Sequence, residues 1–171
     1  MSERMASKAT FEIRPARPDD VFCLLELIRG LAEYERLEDL VQCTEQRLHE
    51  ALFGPEPHVE ALLGWSREQN VAAGFALYFH NYSTFLGRQG LYLEDLYVRP
   101  AFRGQGCGTA LLARLARLAC ERGCARFEWT VLDWNVDAQR FYRGLGASVL
   151  PDWRIVRLTG DALVRLAEMD A

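Results

Sequence analysis

A glycine-rich turn behind a strand-like run carries the clearest chemical content of this 171-residue chain. Arg103-Gly104-Gln105-Gly106-Cys107-Gly108-Thr109 follows Leu91-Tyr-Leu-Glu-Asp-Leu-Tyr-Val98 and opens a segment with Leu111, Leu112, Leu115, Leu118 and Ala119 on one helical face. Glycine lets backbone approach a ligand closely, and the first turn of a helix offers N–H groups without intrahelical partners at the positive end of its dipole. Arg103 adds a charge suited to a phosphate oxygen. The pattern predicts a phosphate cradle. It fits neither common nucleotide motif: G-x-x-x-x-G-K is absent, and the dinucleotide pattern needs glycine where Thr109 stands. Cys107 also raises a covalent acyl-enzyme reading. No histidine adjoins it as a base, and a small apolar residue serves a glycine turn equally well.

Other segments extend the pattern. Tyr92-Leu-Glu94-Asp95 lies upstream, and Val131-Leu-Asp-Trp134-Asn135 with Ala138-Gln-Arg-Phe141-Tyr142-Arg-Gly-Leu-Gly146-Ala147 lies downstream. The R-x-x-G-x-G turn, an asparagine after a strand, and a tyrosine in a short helix ending at glycine resemble the GCN5-related N-acetyltransferases. Within that family the resemblance is closest to the diamine and thialysine branch, through Leu31-Ala-Glu-Tyr34-Glu35, Gly74-Phe-Ala-Leu-Tyr78, Tyr82-Ser-Thr84, Leu93-Glu-Asp95, Leu132-Asp-Trp-Asn135 and Leu145-Gly-Ala147. These pieces span the chain from about Phe11 to the C-terminus.

The resemblance implies acetyl-CoA as co-substrate, its pyrophosphate at Arg103 to Thr109 and its pantetheine along Leu96, Val98 and Asn135. A backbone N–H at Val98 is implied as the oxyanion donor, and Tyr142 as a cofactor contact and the acid that protonates the leaving thiolate. Phe141 and Tyr142 are adjacent, so only one can face a core fully; Phe141 is expected there. An amine acceptor arrives as an ammonium with a pKa of about 10 and must lose a proton first. Glu94 is the candidate base. It alternates with Leu96 and Val98, so apolar neighbours are expected to raise its base strength. Alternatively, Glu94 or Asp95 sits at a strand bulge or pairs with an arginine. Asn135 has an N-cap reading beside its pantetheine one.

For the acceptor, the candidates are Tyr34, Glu35, Glu38, Ser83, Glu94, Asp95, Trp134 and Trp153. The acids around Glu35 and Glu38 end a helical face, where each opposes the dipole by roughly a few tenths of a kcal/mol, so they recruit a cation or form a solvated helix end. The two tryptophans serve as aromatic walls for an amine or as packing. In polyamine acetyltransferases the stretch after Tyr82 carries an acid and a tryptophan; here it is Ser83-Thr84-Phe85, which places a lysine-like amine above spermidine.

Composition narrows the alternatives. Half the residues are hydrophobic and the net charge is −4, an ordinary globular balance without electrostatic support for a nucleic-acid partner. No apolar run approaches the ~20 residues needed to span a bilayer, and the first residues lack a signal-type apolar core, so the cytoplasm is the expected compartment. Five cysteines without a C-x-x-C pair, and three histidines without ligand spacing, predict neither disulfides nor a metal site.

The elements that must position these residues follow from periodicity. Strands are expected at Phe11–Arg14, Val59–Trp65, Val71–Phe79, Leu91–Val98, Phe127–Val131 and Trp153–Leu158. Helices are expected from Pro18 to beyond Leu31, after Thr44, from the glycine turn to Gly123, from Val136, and after Thr159. An antiparallel start and a parallel βαβ step around the glycine turn give an α/β layered fold, the GNAT-type mixed sheet with flanking helices. Residues 1–10 are expected to be a disordered extension and residues 11–171 a single domain. The resemblance implies a homodimer. The function expected is acetyl transfer from acetyl-CoA directly to a small primary amine, thialysine-like, diamine or polyamine. The rivals are a protein or peptide N-acetyltransferase and an idle acyl-CoA-binding sensor.

Overall fold

A computed structural model describes residues 10–169, in two compact units that divide between Thr130 and Val131. In the first unit five strands lie side by side in chain order: β1 (Phe11–Pro15), β2 (Glu60–Ser66), β3 (Val71–Ser83), β4 (Arg88–Val98) and β5 (Phe127–Trp129). Pairing is antiparallel as far as β4, whereas β4 and β5 are parallel. Two helices, α1 (Val21–Glu35) and α2 (Glu45–Phe53), come between β1 and β2. Parallel neighbours need a long crossover, which α3 (Cys107–Glu121) provides between β4 and β5. This is the expected mixed sheet with flanking helices.

Each face of the sheet is covered. Leu24, Leu27, Leu48 and Leu52 pack with Leu63, Phe75, Leu77 and Tyr97 in one buried cluster, so α1 and α2 close the first face. On the other, Gly64 lies against the Cys107 sulfur and Leu111, and Leu111 and Leu115 are fully buried. A bidentate pair of Arg122 with Glu60 (Nη2 to Oε2, 2.8 Å), joined by the Tyr78 hydroxyl, ties the end of α3 to the start of β2. It holds the Glu60 carboxyl below its ordinary value, chiefly through the hydrogen bond from Arg122.

The second unit contains α4 (Val136–Gly144) and α5 (Gly160–Ala167). Here the structure corrects the sequence reading. The segment Trp153–Leu158 forms no strand, although it has strand-like composition. A strand exists only with a ladder partner, and none of the described residues offers one. Its apolar side chains are outside: Trp153 is 75% exposed and Val156 93%. β5 stops at Trp129, short of Val131, and β4 begins at Arg88, so Gly90 lies within a strand. Thr44 caps α2 as expected, its Oγ1 accepting from Arg47 N at 3.2 Å. Thr159 holds the N-cap position of α5 without a side-chain bond. The expected disordered extension falls, apart from Thr10, outside the described residues.

Candidate functional site

The glycine turn has the geometry of an open cradle. Gly104 and Gly106 adopt φ of +72° and +90°, a region that side chains other than glycine enter at a cost, and no heavy atom lies within 4 Å of where a Cβ would stand on either. Gly106 is the N-cap of α3 and offers no capping side chain, so the first N–H groups of the helix, up to Thr109, are left for a ligand. Thr109, Gln105 and Arg103 are exposed around this opening. Gln105 bonds back to the Ala101 carbonyl (2.8 Å) and steadies the turn. The cradle fits an anionic diphosphate of the kind acyl-CoA carries.

Cys107 turns the other way. It is 1% exposed against Gly64, and burial pushes its thiol up to about 11, so thiolate is scarce at neutral pH and the covalent acyl-enzyme reading fails. Its backbone still belongs to the turn.

Beside the cradle, β4 leaves its neighbour. The β4–β5 ladder covers only Leu91, Tyr92 and Leu93, while β4 runs on to Val98. Arg99 N donates to the Ala73 carbonyl (2.8 Å), which fixes the alternation of the β3–β4 ladder. Leu96 and Val98, opposite Ala76 and Gly74, therefore turn their N–H and C=O groups away from β3, toward the edge that β5 has vacated. The Val98 carbonyl there accepts from Arg103 Nε at 3.0 Å. An open strand edge can take an extended amide-bearing chain as if it were another strand.

A bulge sits at the same place. The register shifts between Leu77 and Tyr78, so Tyr78 faces Leu93, Leu77 faces Asp95, and Glu94 has no partner across β3. The expected alternation of Glu94 with Leu96 and Val98 is thereby broken, and Glu94 is exposed. Asp95, half-buried, is the carboxyl pushed up to about 6, first by desolvation and then by Glu94 and Glu35. Burial also raises the half-buried Glu35 on α1. Among the described residues no arginine, lysine or histidine forms an ion pair with Glu35, Glu94 or Asp95. Acids desolvated without a cation mark a place where a cation belongs.

Asp95 carries a stability consequence. Its pKa is higher folded (about 6) than in a free chain (3.8), so the folded state retains the proton longer and loses stability as pH climbs through that window. Asp95→Asn removes the penalty. Thermal melts are expected to place the variant about 2–5 °C above wild type at pH 7.5, with the gap closing as pH falls toward 4. A lower melting point at pH 7.5 would mean that the carboxylate is stabilising.

The other expected acceptor residues belong to separate elements. Tyr34 ends α1 beside Glu35, and its ring lies under the Arg103 guanidinium, 4.5 Å away. Glu38 opens a 3-10 turn and lines an open cleft of about 930 Å³ with Glu26, Arg29, Glu33, Tyr97 and Arg99. Glu35, Glu94 and Asp95 lie outside that lining. Ser83 is 6% exposed, its Oγ accepting from Leu86 N at 3.3 Å, which closes the β3–β4 hairpin. In the second unit Trp134 and Trp153 are exposed. Asn135 caps α4, Oδ1 accepting from Ala138 N at 3.2 Å, the N-cap role foreseen as one alternative. Phe141 and Tyr142 are each half-buried, with ring centroids 5.4 Å apart, so Phe141 is less of a core residue than expected. The described residues contain no group of three or more His, Cys, Asp or Glu able to hold a metal ion, and no helix long and apolar enough to cross a membrane.

Comparison with known proteins bears on this arrangement directly. Residues 25–147 match a family model described as the Acetyltransferase (GNAT) family. The thialysine N-epsilon-acetyltransferase of Bos taurus is 38% identical over 164 residues, covering 91% of this chain and 96% of that protein. The L-ornithine N5-acetyltransferase of Arabidopsis thaliana is 34% identical over 201 residues, covering 92% of this chain and 88% of that protein. Among solved structures, an integron cassette protein from the mobile metagenome of V.cholerae aligns with a TM-score of 0.79 at 26% identity, over 95% of this chain and 100% of that one. The matched stretch contains the bulged β4, its open edge and the glycine turn that starts α3, and on these grounds the chain belongs to the acetyltransferase (GNAT) family.

Proposed function

We propose that the chain transfers acetyl from acetyl-CoA directly to a primary amine of a small molecule, with thialysine-like compounds, ornithine-like amino acids and short diamines ahead of spermidine. The observation that carries this reading is the desolvated acid pair Glu35 and Asp95, without a cation partner, at the bulge where β4 parts from β5. An ammonium relieves that charge, and the named activities of the bovine and Arabidopsis relatives point to the same class. A protein or peptide acceptor finds no such support.

The residues divide the work. Arg103 and the N–H groups from Gly106 to Thr109 hold the diphosphate, and the backbone of Leu96 and Val98 aligns the pantetheine, with Asn135 assisting. The bound thioester supplies the acyl group. Val98 N–H donates to the oxygen that gains charge during attack. Glu94 and Asp95 receive the ammonium proton, Asp95 favoured by a pKa near the working pH. Tyr142 gives a proton to the departing thiolate. Tyr34, Glu38, Trp134 and Trp153 border the acceptor, and the absence of an acid at Ser83 weakens the hold on a second ammonium. One acetyltransferase domain spans residues 11–171, working in the cytoplasm.

A panel of amines with acetyl-CoA, read by free-thiol release and product mass, tests the acceptor. An exposed carboxylate–ammonium contact contributes at most about 1 kcal/mol, so kcat/KM for thialysine, ornithine or a short diamine is expected to exceed that for spermidine by several-fold to about tenfold. Spermidine as the best substrate would overturn the acceptor assignment alone; no amine-dependent thiol release with any member of the panel would overturn the activity.

The same reading includes a homodimer. The exposed strand-like segment Trp153, Ile155 and Val156 has no ladder within the described chain and suits pairing with a second copy. Light scattering at micromolar concentration is expected to give twice the chain mass; a monomeric mass would refute the dimer.

A further inference from the structure

We propose that Tyr34 is a positioning residue for cofactor capture, its ring presetting the Arg103 guanidinium at the mouth of the glycine turn. The inference rests on the reading above, in which acetyl-CoA places its diphosphate there. An exposed arginine is ordinarily spread over many rotamers. This one is fixed at three points. Its Nε donates to the Val98 carbonyl at 3.0 Å, its guanidinium carbon stands 4.5 Å over the Tyr34 ring, and the Tyr97 ring is 5.7 Å away on the same side chain. These contacts occupy Nε and set two aromatic rings against the guanidinium. They leave the terminal fork of two Nη groups, for which the described residues supply no hydrogen-bond partner, available to an anion.

Fixing the arginine beforehand removes the entropy that binding would otherwise spend on ordering it. The placement of Tyr34 adds a second consequence. It directly precedes Glu35, whose carboxyl acts electrostatically on Asp95. One turn of α1 therefore touches the anion-holding arginine through Tyr34 and the cation-attracting acids through Glu35. The two halves of the site are anchored on the same backbone segment.

Calorimetry with acetyl-CoA on wild type, Tyr34→Phe, Tyr34→Leu, Arg103→Ala and the double variant Tyr34→Leu/Arg103→Ala tests this. Tyr34 is 38% exposed, so its replacements are expected to fold. Tyr34→Leu should raise Kd for acetyl-CoA by about three- to tenfold, the scale of a cation–π contact plus one ordered side chain. Tyr34→Phe, which keeps the ring, should restore the affinity. The double variant should bind acetyl-CoA no worse than Arg103→Ala, because Tyr34 acts on the cofactor only through that arginine. Additive losses would overturn the proposal. So would an unchanged Kd in Tyr34→Leu with the damage confined to KM for the amine, which would leave Tyr34 an acceptor wall alone. A Phe variant as weak as Leu would overturn it too, by putting the role in the hydroxyl. If wild type does not bind acetyl-CoA, the functional reading and this inference fall together; if wild type binds and the Tyr34 variants match it, this inference falls alone.

Discussion

Gly106→Asp is expected to abolish acetyl-CoA binding while the protein remains folded. Gly106 ends the open turn at φ +90°, and no atom lies within 4 Å of where a Cβ would stand, so the new side chain meets strain and not a clash. That strain costs about 1–2 kcal/mol. A carboxylate at the N-cap also accepts from the first-turn N–H groups and interacts favourably with the dipole, which offsets part of the loss. The same bond removes the donors that a diphosphate needs and sets a negative charge in its place. Affinity should fall by about two orders of magnitude or more. Gly106→Ala separates the two effects, because it shares the backbone strain without the charge. Its affinity should lie between wild type and the aspartate variant. Calorimetry together with a thermal melt reads both quantities. Wild-type affinity in a folded Gly106→Asp protein would remove the cradle from the glycine turn.

The parts of this site that were legible in the sequence are those fixed by local chemistry. Gly104 and Gly106, which take positive φ, and a helix that begins without a capping side chain leave their mark in Arg103-Gly-Gln-Gly-Cys-Gly108 itself. The helices showed in the spacing of Leu111, Leu112, Leu115 and Leu118, and in Leu24, Leu25 and Ile28. What was hidden depends on partners distant in the chain. The bulge at Glu94, one of the alternatives the sequence left open, is set by a register shift against Leu77 and Tyr78 on β3 that no local pattern decides. It moves the raised carboxyl from Glu94, where simple alternation put it, to Asp95. The adjacent Glu94-Asp95 pair within a hydrophobic strand was the available signal, since two consecutive acids cannot both follow a two-residue period. The place of Ser83 in the β3–β4 hairpin was hidden as well, because the length of β3 is decided by pairing with β4. The stack of Arg103 on Tyr34 had no trace in either local motif. At Trp153–Leu158 the error ran the other way, because strand propensity alone cannot supply a ladder partner.

Tyr142→Phe is the second large effect expected. The substitution keeps the ring and removes only the hydroxyl, so the half-buried pairing with Phe141 survives. Helix α4 is secured at both ends. Asn135 caps its start, and beyond its last residue the N–H groups of Leu145 and Ala147 donate to the Tyr142 carbonyl at 3.0 and 3.1 Å, with Gly146 at φ +92° reversing the chain. The backbone of Tyr142 is thus held by the helix end itself, and losing one oxygen atom should not move it. A thiolate leaving without a proton must depart as an anion, and supplying that proton ordinarily accelerates a reaction by about 10²–10⁴-fold. Turnover in Tyr142→Phe is therefore expected to fall by about 10²-fold or more, whereas Kd for acetyl-CoA from calorimetry stays within about threefold of wild type. The loss should appear equally in kcat and in kcat/KM for the amine, as for a group that acts only in the transition state. Turnover near wild type would return Tyr142 to a packing role beside Phe141, and a rise in Kd that accounts for the whole loss would make it a cofactor contact alone.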